Sequence, residues 1–274
     1  MKTVVVVQAR IGSTRLPNKV LMPLAGRPLL QRMIERVMAA QSAFEIVVAT
    51  THCDEDAVIV DLARKIDVPV YAGHPTDLLD RHVRAARAFK ADVVVKIPSD
   101  CPLIDPGVID RVLHRYHELH GYVDYVSNLH PQSYPDGNDV EVVPMEILEC
   151  AWREATAPHE REHTTPFIWD QPDRFTISNV AWESGRDFSR SHRWTIDYPA
   201  DYAFISQVFD HLWSPERIFT MHDILDLLDT HPSLALTNAQ YVGVNWYRHH
   251  LKYLRTISVH DTQQEPAPLS EAHR

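Results

Sequence analysis

The chain has 274 residues, of which 45% are hydrophobic and 23% charged, so it has the composition of an ordinary globular protein with one large domain or two small ones. Its formal net charge of −10 argues against a general affinity for DNA or RNA, because that affinity depends on Lys and Arg side chains that neutralise phosphates. The sequence contains no apolar run long enough for a membrane span, no secretory leader, and only three cysteines without a C-x-x-C pair. We therefore expect a cytoplasmic protein without nucleic-acid or membrane partners.

The first half of the chain alternates predicted strands with predicted helices. Four consecutive valines in TVVVVQ predict a strand over Thr3–Gln8 that is buried on both faces. Further strands are predicted at residues 45–50, 69–71, 92–97 and 124–127, and helices at residues 28–40, from residue 54, and at residues 76–89 and 105–119. This alternation indicates parallel βαβ units with right-handed crossovers.

The pattern changes after about residue 130. The stretch HPQSYPDGNDVEVV combines prolines and a glycine with alternating valines, which predicts a turn or hairpin that leads into an added antiparallel strand. Beyond it, helices are predicted at residues 146–156, 159–169, 200–213, 222–229 and 238–253, and strands at residues 175–180 and 192–196. We divide the chain into a main domain (1–230), a helical extension (231–258) and a polar, Pro-bearing tail (259–274) that we expect to be disordered. Aromatic residues at helical spacing in the extension indicate core or dimer packing.

A cluster of cations follows the first strand. Arg10, Arg15 and Lys19 are separated mainly by small or polar residues, and the segment matches neither a Walker A loop nor a G-x-G-x-x-G fingerprint. In an open parallel sheet, ligands bind beyond the carboxyl ends of the strands, which is where these cations lie. The segment therefore predicts either a site for a small polyanion or an ordinary solvated loop.

Two aspartates follow strands farther along the chain. Asp100 lies in KIPSDCPLIDP directly after a predicted strand, and Asp197 lies in HRWTIDYPADY after another. Carboxylates in such places can bind Mg²⁺ together with substrate phosphates, although single strand-end aspartates are more often turn formers or helix caps. If the two strands are neighbours, the two carboxylates and the cations form a site suited to phosphoryl or nucleotidyl transfer.

Several stretches resemble the nucleotidyltransferases of the CMP-sugar-acid synthetase type, in particular the branch named after the spore-coat polysaccharide protein SpsF. These stretches are QARIGSTRLPNKVLMPLAGRPLLQRMIERV, DLLDRHVRAA, VVKIPSDCPLIDPGVID, YPDGNDVEVV, EREHTTPFI and RWTIDYPADY, and they cover most of residues 1–230 in the expected order. Asn18 stands where this family usually has Gly, a mild departure because Asn also tolerates left-handed backbone conformations. The resemblance implies a Rossmann-like three-layer α/β nucleotidyltransferase fold with a mostly parallel sheet.

The resemblance also implies an activity: Mg²⁺-dependent transfer of CMP from CTP to a small anionic acceptor, most often a sugar acid of the ulosonic or nonulosonic type, with release of pyrophosphate. It implies a homodimer and a role in surface-polysaccharide or glycoconjugate biosynthesis. The catalytic residues would be Arg10, Lys19, Asp100 and Asp197, with Mg²⁺ held by the two aspartates. The nucleotide-binding residues would be Gln8, Ala9, Arg10, Gly12, Ser13, Arg15, Lys19, Arg81 and Ser99. The acceptor-binding residues would be Asp136, Asn138, Asp139, Glu141, Arg161, Glu162 and His163.

Other functions remain open from the sequence. A glycosyltransferase that uses a nucleotide-sugar is one, although PSDCPLID lacks the D-x-D pair that such enzymes normally carry. A cytidylyltransferase that acts on a phosphonate or another hydroxy acid is a second, and a non-catalytic nucleotide-binding protein is a third. His159 to His163 also match the H-x-x-E-H pattern of inverted zinc proteases, but Pro158 and Pro166 leave room for a helix of barely two turns.

Overall fold

A seven-stranded sheet forms the centre of the computed structural model, which describes residues 1–266. The strands are β1 (Thr3–Gln8), β2 (Pro23–Leu24), β3 (Arg27–Pro28), β4 (Glu45–Thr51), β5 (Val70–Gly73), β6 (Val93–Pro98), β7 (Tyr125–Ser127), β8 (Glu141–Pro144) and β9 (Ile177–Asn179). β2 and β3 form a separate antiparallel pair, and the large sheet has the order β5-β4-β1-β6-β8-β7-β9.

The large sheet is parallel except at β8. β1 pairs in parallel with β4 and with β6, whereas β8 runs antiparallel to both β6 and β7. This arrangement confirms the predicted mostly parallel sheet with an added antiparallel strand. The register places Gln8 opposite Pro98, so the carboxyl ends of β1 and β6 lie side by side. The segments that follow these two strands therefore begin next to each other.

Helices cover both faces of the sheet. They are α1 (Leu29–Met38), α2 (Ala57–Lys65), α3 (Leu78–Ala88), α4 (Pro106–Glu118), α5 (Met145–Glu154), α6 (Pro158–His163), α7 (Pro166–Trp169), α8 (Pro199–Leu212) and α9 (Met221–Thr230). Because side chains alternate across a strand, Val5 and Val7 pack in the core with α1, α4, α8 and α9, while Val4 and Val6 pack in a second core with α3, α5 and α7. The predicted three-layer α/β fold is confirmed. No helix within residues 1–266 has the length and apolar character needed to cross a membrane.

The predicted elements of the first half are present, with ends that differ by a few residues. In the second half, the helix predicted at residues 159–169 is instead two short helices, α6 and α7. They are separated at Thr164, whose φ of 76° is incompatible with a continuing right-handed helix.

The strand predicted at residues 192–196 is not part of the sheet. The segment runs beside two loops instead: the Trp194 amide donates to the Asp136 carbonyl at 2.7 Å, and the Ile196 amide donates to the Asp100 carbonyl at 2.9 Å. Asp197 follows directly and is therefore held beside Asp100 without belonging to a strand. The predicted neighbourhood of the two aspartates is present, although it arises through loop hydrogen bonds.

The C-terminal elements differ from the prediction. The helix predicted at residues 238–253 is replaced by short 3-10 turns at Ala239–Tyr241 and Trp246–His249, because Gly243 between them has a φ of 74°. Part of the expected disordered tail also packs on the domain, since Thr262 is buried and the Gln263 amide donates to the Gly243 carbonyl at 2.7 Å. Residues 267–274 lie outside the described part of the chain.

Gly137 allows the loop before β8 to approach the segment that ends at Asp197. Its φ is 105°, and a Cβ at this position would lie 2.7 Å from the Thr195 amide nitrogen and 2.7 Å from the Trp194 carbonyl carbon. We expect Gly137→Ala to lower the free energy of unfolding by about 3 kcal/mol, because it adds overpacking to backbone strain. Urea denaturation of the variant measures this loss.

Gly121→Ala is the matched control for Gly137→Ala. Gly121 has a φ of 83°, but nothing lies within 4 Å of the position of its Cβ. This variant therefore reports the backbone strain alone, which is about 1–2 kcal/mol. Equal losses in the two variants would contradict a role for the contact between residue 137 and residues 194–195.

Candidate active site

A polar cavity of about 510 Å³ opens beyond the carboxyl ends of β1 and β6. From residues 1–139 it is lined by Gln8, Ala9, Arg10, Ser13, Thr14, Arg15, Lys19, Leu78, Arg81, Lys96, Pro98, Ser99, Asp100, Leu129, His130, Gln132, Asp136 and Asp139. From later residues it is lined by Glu141, Glu162, His163, Thr165, Trp169, Arg193, Thr195, Asp197, Tyr198 and residues 244–250. Most of the residues predicted from separate sequence motifs thus share one cavity.

Lys19 connects the two predicted aspartates. Its Nζ donates to Asp100 Oδ2 at 3.3 Å, to Asp197 Oδ1 at 3.1 Å and to the Ile196 carbonyl at 2.7 Å. Burial alone would lower the pKa of Lys19, but the charges of Asp100 and Asp197 outweigh it and raise this pKa above its usual value. Lys19 is therefore a fixed cation that holds both carboxylates at the same point.

Asp197 carries the second set of charge contacts. Burial would raise its pKa, but Lys19 and Arg15 outweigh this effect and hold the pKa below the usual value of an aspartate. Arg15 contacts Asp197 Oδ1 at 2.7 Å, and Arg193 lies 3.6 Å from Oδ2. Asp197 is therefore ionised at neutral pH and oriented from both sides.

Arg10 and Arg81 add positive charge without a carboxylate partner. Arg81 is buried and donates to the carbonyls of His74 and Pro75 at 2.6–2.9 Å. Burial, and secondarily the charge of Arg10, lowers the pKa of Arg81 to about 10. Arg10 itself is exposed and has no hydrogen bond or ion pair within residues 1–266. Two such cations at one end of the cavity favour a polyanionic ligand there.

The other end of the cavity holds a buried ion pair. Lys96 on β6 pairs with Glu141 on β8, and Glu141 also accepts hydrogen bonds from Tyr125, at 2.7 Å, and from Thr165. These partners together outweigh burial and keep the pKa of Glu141 below its usual value. The pair is thus satisfied within the protein and presents a polar surface of fixed geometry.

Asp136 and Asp139 lie between the two ends of the cavity. Burial raises the pKa of Asp136, and only Arg193, at 3.4 Å, opposes this effect. Burial, followed by the charges of Asp136 and Asp100, raises the pKa of Asp139. At neutral pH the pKa of Asp139, raised to about 8, favours the protonated form, which can donate as well as accept hydrogen bonds, whereas Asp136, with a pKa raised to about 6, stays mostly ionised beside Arg193.

Three of the predicted site residues, Gly12, Asn138 and Arg161, do not line the cavity. Asn138 is buried, where it accepts from the Asp105 amide at 3.0 Å and donates to the Pro135 carbonyl at 3.1 Å. Arg161 is bound to Asp77 and to the Trp152 carbonyl. Gly12 is an exposed residue of the loop at residues 10–19. Asn138 and Arg161 therefore support the surrounding structure, since their polar atoms are already used.

Several cavity residues were absent from the sequence prediction. Lys96 is the single charge in the strand VVVKIP, and a charge in a buried strand is itself a signal of a polar site. Arg193 stands in the same short stretch as Asp197. The residues at 244–250 carry no comparable signal, because their aromatic spacing matches that of ordinary packing.

The donor set at Asp100 and Asp197 fits a magnesium ion that binds together with a phosphate ligand. Both carboxylates contact the same nitrogen of Lys19, so they converge on one point of the cavity. Within residues 1–266, no three His, Cys, Asp or Glu side chains form a complete set of metal ligands. Mg²⁺ usually binds through one or two carboxylates plus substrate phosphates rather than in an all-protein cage, and two carboxylates are what this site offers.

The H-x-x-E-H pattern lies in the short helix α6. The His163 ring stacks on Trp246 with centroids 3.7 Å apart, and the His159 ring stacks on Tyr253 at 5.9 Å. Both histidines thus pack against aromatic rings of the C-terminal segment. These contacts pack the C-terminal segment against α6.

Comparisons with known proteins agree with this geometry. The family model described as "Cytidylyltransferase" matches residues 4–230. The spore coat polysaccharide biosynthesis protein SpsF of Bacillus subtilis is 29% identical over 238 residues, which cover 84% of this chain and 95% of that protein. A 3-deoxy-manno-octulosonate cytidylyltransferase of Trichlorobacter lovleyi is 35% identical over 116 residues, or 41% of this chain and 44% of the relative. The solved structure of a cytidylyltransferase from Leptospira borgpetersenii has a TM-score of 0.81 and 30% identity, and covers 86% of this chain and 97% of its own.

Proposed function

We propose that this chain, which belongs to the cytidylyltransferase family, transfers CMP from CTP to a small anionic acceptor and releases pyrophosphate. One observation carries the proposal: Arg15, Lys19, Asp100 and Asp197 converge at a single point of the cavity. The acceptor class that we propose is a sugar acid, in line with the SpsF and 3-deoxy-manno-octulosonate relatives.

The charges around the two aspartates support a ligand that combines a cation with a polyphosphate. Lys19 and Arg15 balance the two carboxylates, so a free divalent cation would gain little there. A Mg²⁺–triphosphate complex has a net negative charge, which the exposed Arg10 can bind, while the buried Arg81 adds positive charge from the cavity wall. Asp100 and Asp197 would hold the Mg²⁺, which neutralises charge on the phosphates when it is bound.

In the proposed reaction, a hydroxyl oxygen of the acceptor attacks the α-phosphorus of CTP. A bond forms between that oxygen and the α-phosphorus, and the bond to the bridging oxygen of the β-phosphate breaks, so that pyrophosphate leaves with the electron pair. The hydroxyl proton is released to solvent. Arg10, Arg15 and Lys19 would bind and orient the triphosphate, and the protein contributes mainly positioning and charge stabilisation.

Gln8 supports selectivity for cytosine. Its side-chain carbonyl oxygen is buried in the cavity wall and has no hydrogen-bond partner within residues 1–266. An unpaired buried acceptor is costly, so a ligand that supplies a donor there gains binding energy. The exocyclic amino group of cytosine is such a donor, whereas uracil has a carbonyl oxygen at that position.

Pyrophosphate release tests the proposed function. The protein is incubated with Mg²⁺, each of the four nucleoside triphosphates and a panel of sugar acids that includes 3-deoxy-manno-octulosonate. We expect release with CTP about 5- to 150-fold faster than with UTP, because one unsatisfied hydrogen bond is worth about 1–3 kcal/mol. Transfer from a nucleotide-sugar instead would favour a glycosyltransferase, and CTP binding without turnover would contradict catalysis.

A further inference from the structure

A seven-residue segment near the C-terminus forms one wall of the cavity. All of residues 244–250, which we name the C-terminal strap, line the cavity. The strap lies beyond the region matched by the cytidylyltransferase family model, which ends at residue 230. The wall of the cavity is therefore completed by a part of the chain that the family pattern does not include.

The strap is fixed on both sides by hydrogen bonds to the main domain. Before it, the Asn238 side chain donates to the Arg193 carbonyl and to Asp201, both at 2.9 Å, and at its first residue the Val244 carbonyl accepts from Arg193 at 2.9 Å. After it, Asp170 accepts from the backbone amides of residues 255 and 256 at 2.7–2.9 Å. The strap is thus a fixed wall of the cavity.

The strap presents an aromatic surface at the cavity. Trp246 stacks on His163, and the Tyr247 ring packs at 4.6 Å from Trp246 and 6.0 Å from Trp169. Burial, and secondarily the charge of Lys96, lowers the pKa of His163 well below its usual value, so this stack is neutral at physiological pH. Such a surface favours the apolar face of a ring.

The strap also supplies a cation whose charge is not balanced. Lys96 pairs with Glu141, and Arg193 contacts Asp136, Asp197 and Asp201. Arg248 has no carboxylate within ion-pair distance among residues 1–266: its guanidinium contacts His249 Nε2 at 3.1 Å and the Gln264 carbonyl at 3.1 Å. At the strap end of the cavity, Arg248 is therefore the cation that can bind an incoming anion.

We infer that the C-terminal strap recognises the acceptor, and that it does so through a free carboxylate on the proposed sugar acid. Arg248 binds the carboxylate, and Trp246 packs against the apolar face of the sugar. This inference rests on the proposed cytidylyl transfer and adds to it the residues that select the acceptor. It assigns the strap to the acceptor and the loop at residues 10–19 to CTP.

The test compares a free acid with its uncharged ester. The probes are the sugar acid that gives the fastest pyrophosphate release in the panel above and the methyl ester of that acid. We expect the wild type to prefer the acid by about 10- to 100-fold in kcat/KM, and Arg248→Ala to lose that preference by raising the KM of the acid. Trp246→Ala should raise the KM of acid and ester alike, by about 10-fold. The KM for CTP should change less than about twofold in both variants.

Lys252→Ala is the matched control, because this exposed residue belongs to the same C-terminal segment but does not line the cavity. It should keep the wild-type KM and the preference for the acid. A preference for the acid that survives Arg248→Ala would overturn the inference while leaving the proposed transfer intact. Absence of pyrophosphate release by the wild type with every sugar acid would overturn the proposed function itself.

Discussion

Asp197→Asn should lower kcat/KM for CTP-dependent pyrophosphate release by at least about 100-fold, because a metal ion at a phosphoryl oxygen contributes several kcal/mol and each 1.4 kcal/mol is a factor of ten. The substitution keeps the shape of the side chain but removes the charge that Lys19, Arg15 and Arg193 surround. Asp100→Asn should have an effect of similar size, since its carboxylate contacts the same Lys19 nitrogen.

Both variants should remain folded, because an amide oxygen can still accept the Lys19 hydrogen bond. Circular dichroism and thermal unfolding check this point. Asp210→Asn, an exposed aspartate on α8, is the control and should leave the rate unchanged. The measurement is made over a series of Mg²⁺ concentrations that includes limiting ones. Turnover near the wild-type rate at limiting Mg²⁺ would mean that the substituted residue is not a metal ligand.

Local patterns were sufficient to predict most of the sheet. The valine run of β1 and the mostly apolar run of β6 lie in the interior of the sheet, where covering on both faces favours apolar residues and Lys96 is the exception. The turn signals around Pro135 and Gly137 likewise predicted the antiparallel strand β8. These elements could be predicted because their local sequence carries the signal: runs of apolar residues mark buried strands, and proline and glycine mark turns.

The approach of Asp197 to Asp100 could not be predicted from local patterns. It depends on hydrogen bonds from residues 195 and 196 to the Asp100 carbonyl, which join positions almost a hundred residues apart. It also depends on the space left by Gly137. Such contacts have no periodicity, so the sequence could suggest the pair of carboxylates only on the condition that two strands are neighbours, or through the family resemblance.

The spacing of the aromatic residues in the C-terminal strap indicates packing and gives no sign of a binding site. Trp246 and Tyr247 do pack against other aromatic rings, and the same rings also line the cavity. A sequence pattern reports burial but cannot distinguish the core of a domain from the wall of a pocket. Residues 246–249 form a 3-10 turn, and all four line the cavity. An α-helical spacing would instead predict that only every third or fourth residue faces the same side.

Lys19→Met should reduce kcat/KM by about 100-fold, whereas Arg10→Ala should weaken CTP binding by roughly 10- to 100-fold, because each removes charge-assisted hydrogen bonds of about 1.5–3 kcal/mol. The two residues differ in environment. Lys19 is buried and bridges two carboxylates, so its loss removes the cation that they share and raises the pKa of Asp197, which Arg15 and Arg193 still contact. Arg10 is exposed and has no ion pair with any residue from 1 to 266, so its loss should not disturb the aspartates.

These differences separate the two effects experimentally. In Lys19→Met, the loss of rate should increase as pH falls, because protonation of Asp197 begins at a higher pH than in the wild type, where Lys19 and Arg15 keep the pKa of that carboxyl low.

In Arg10→Ala, the loss should be independent of pH between 6 and 8 and should appear as a weaker CTP affinity in calorimetric titration. Arg10→Lys should restore only part of the affinity, since lysine lacks the planar fork of the guanidinium. Arg27→Ala removes an exposed cation that lies outside the cavity lining, and its effect on CTP affinity should be less than about twofold. Equal, small effects at residues 10, 19 and 27 would contradict a triphosphate site in this loop and leave it as a solvated turn.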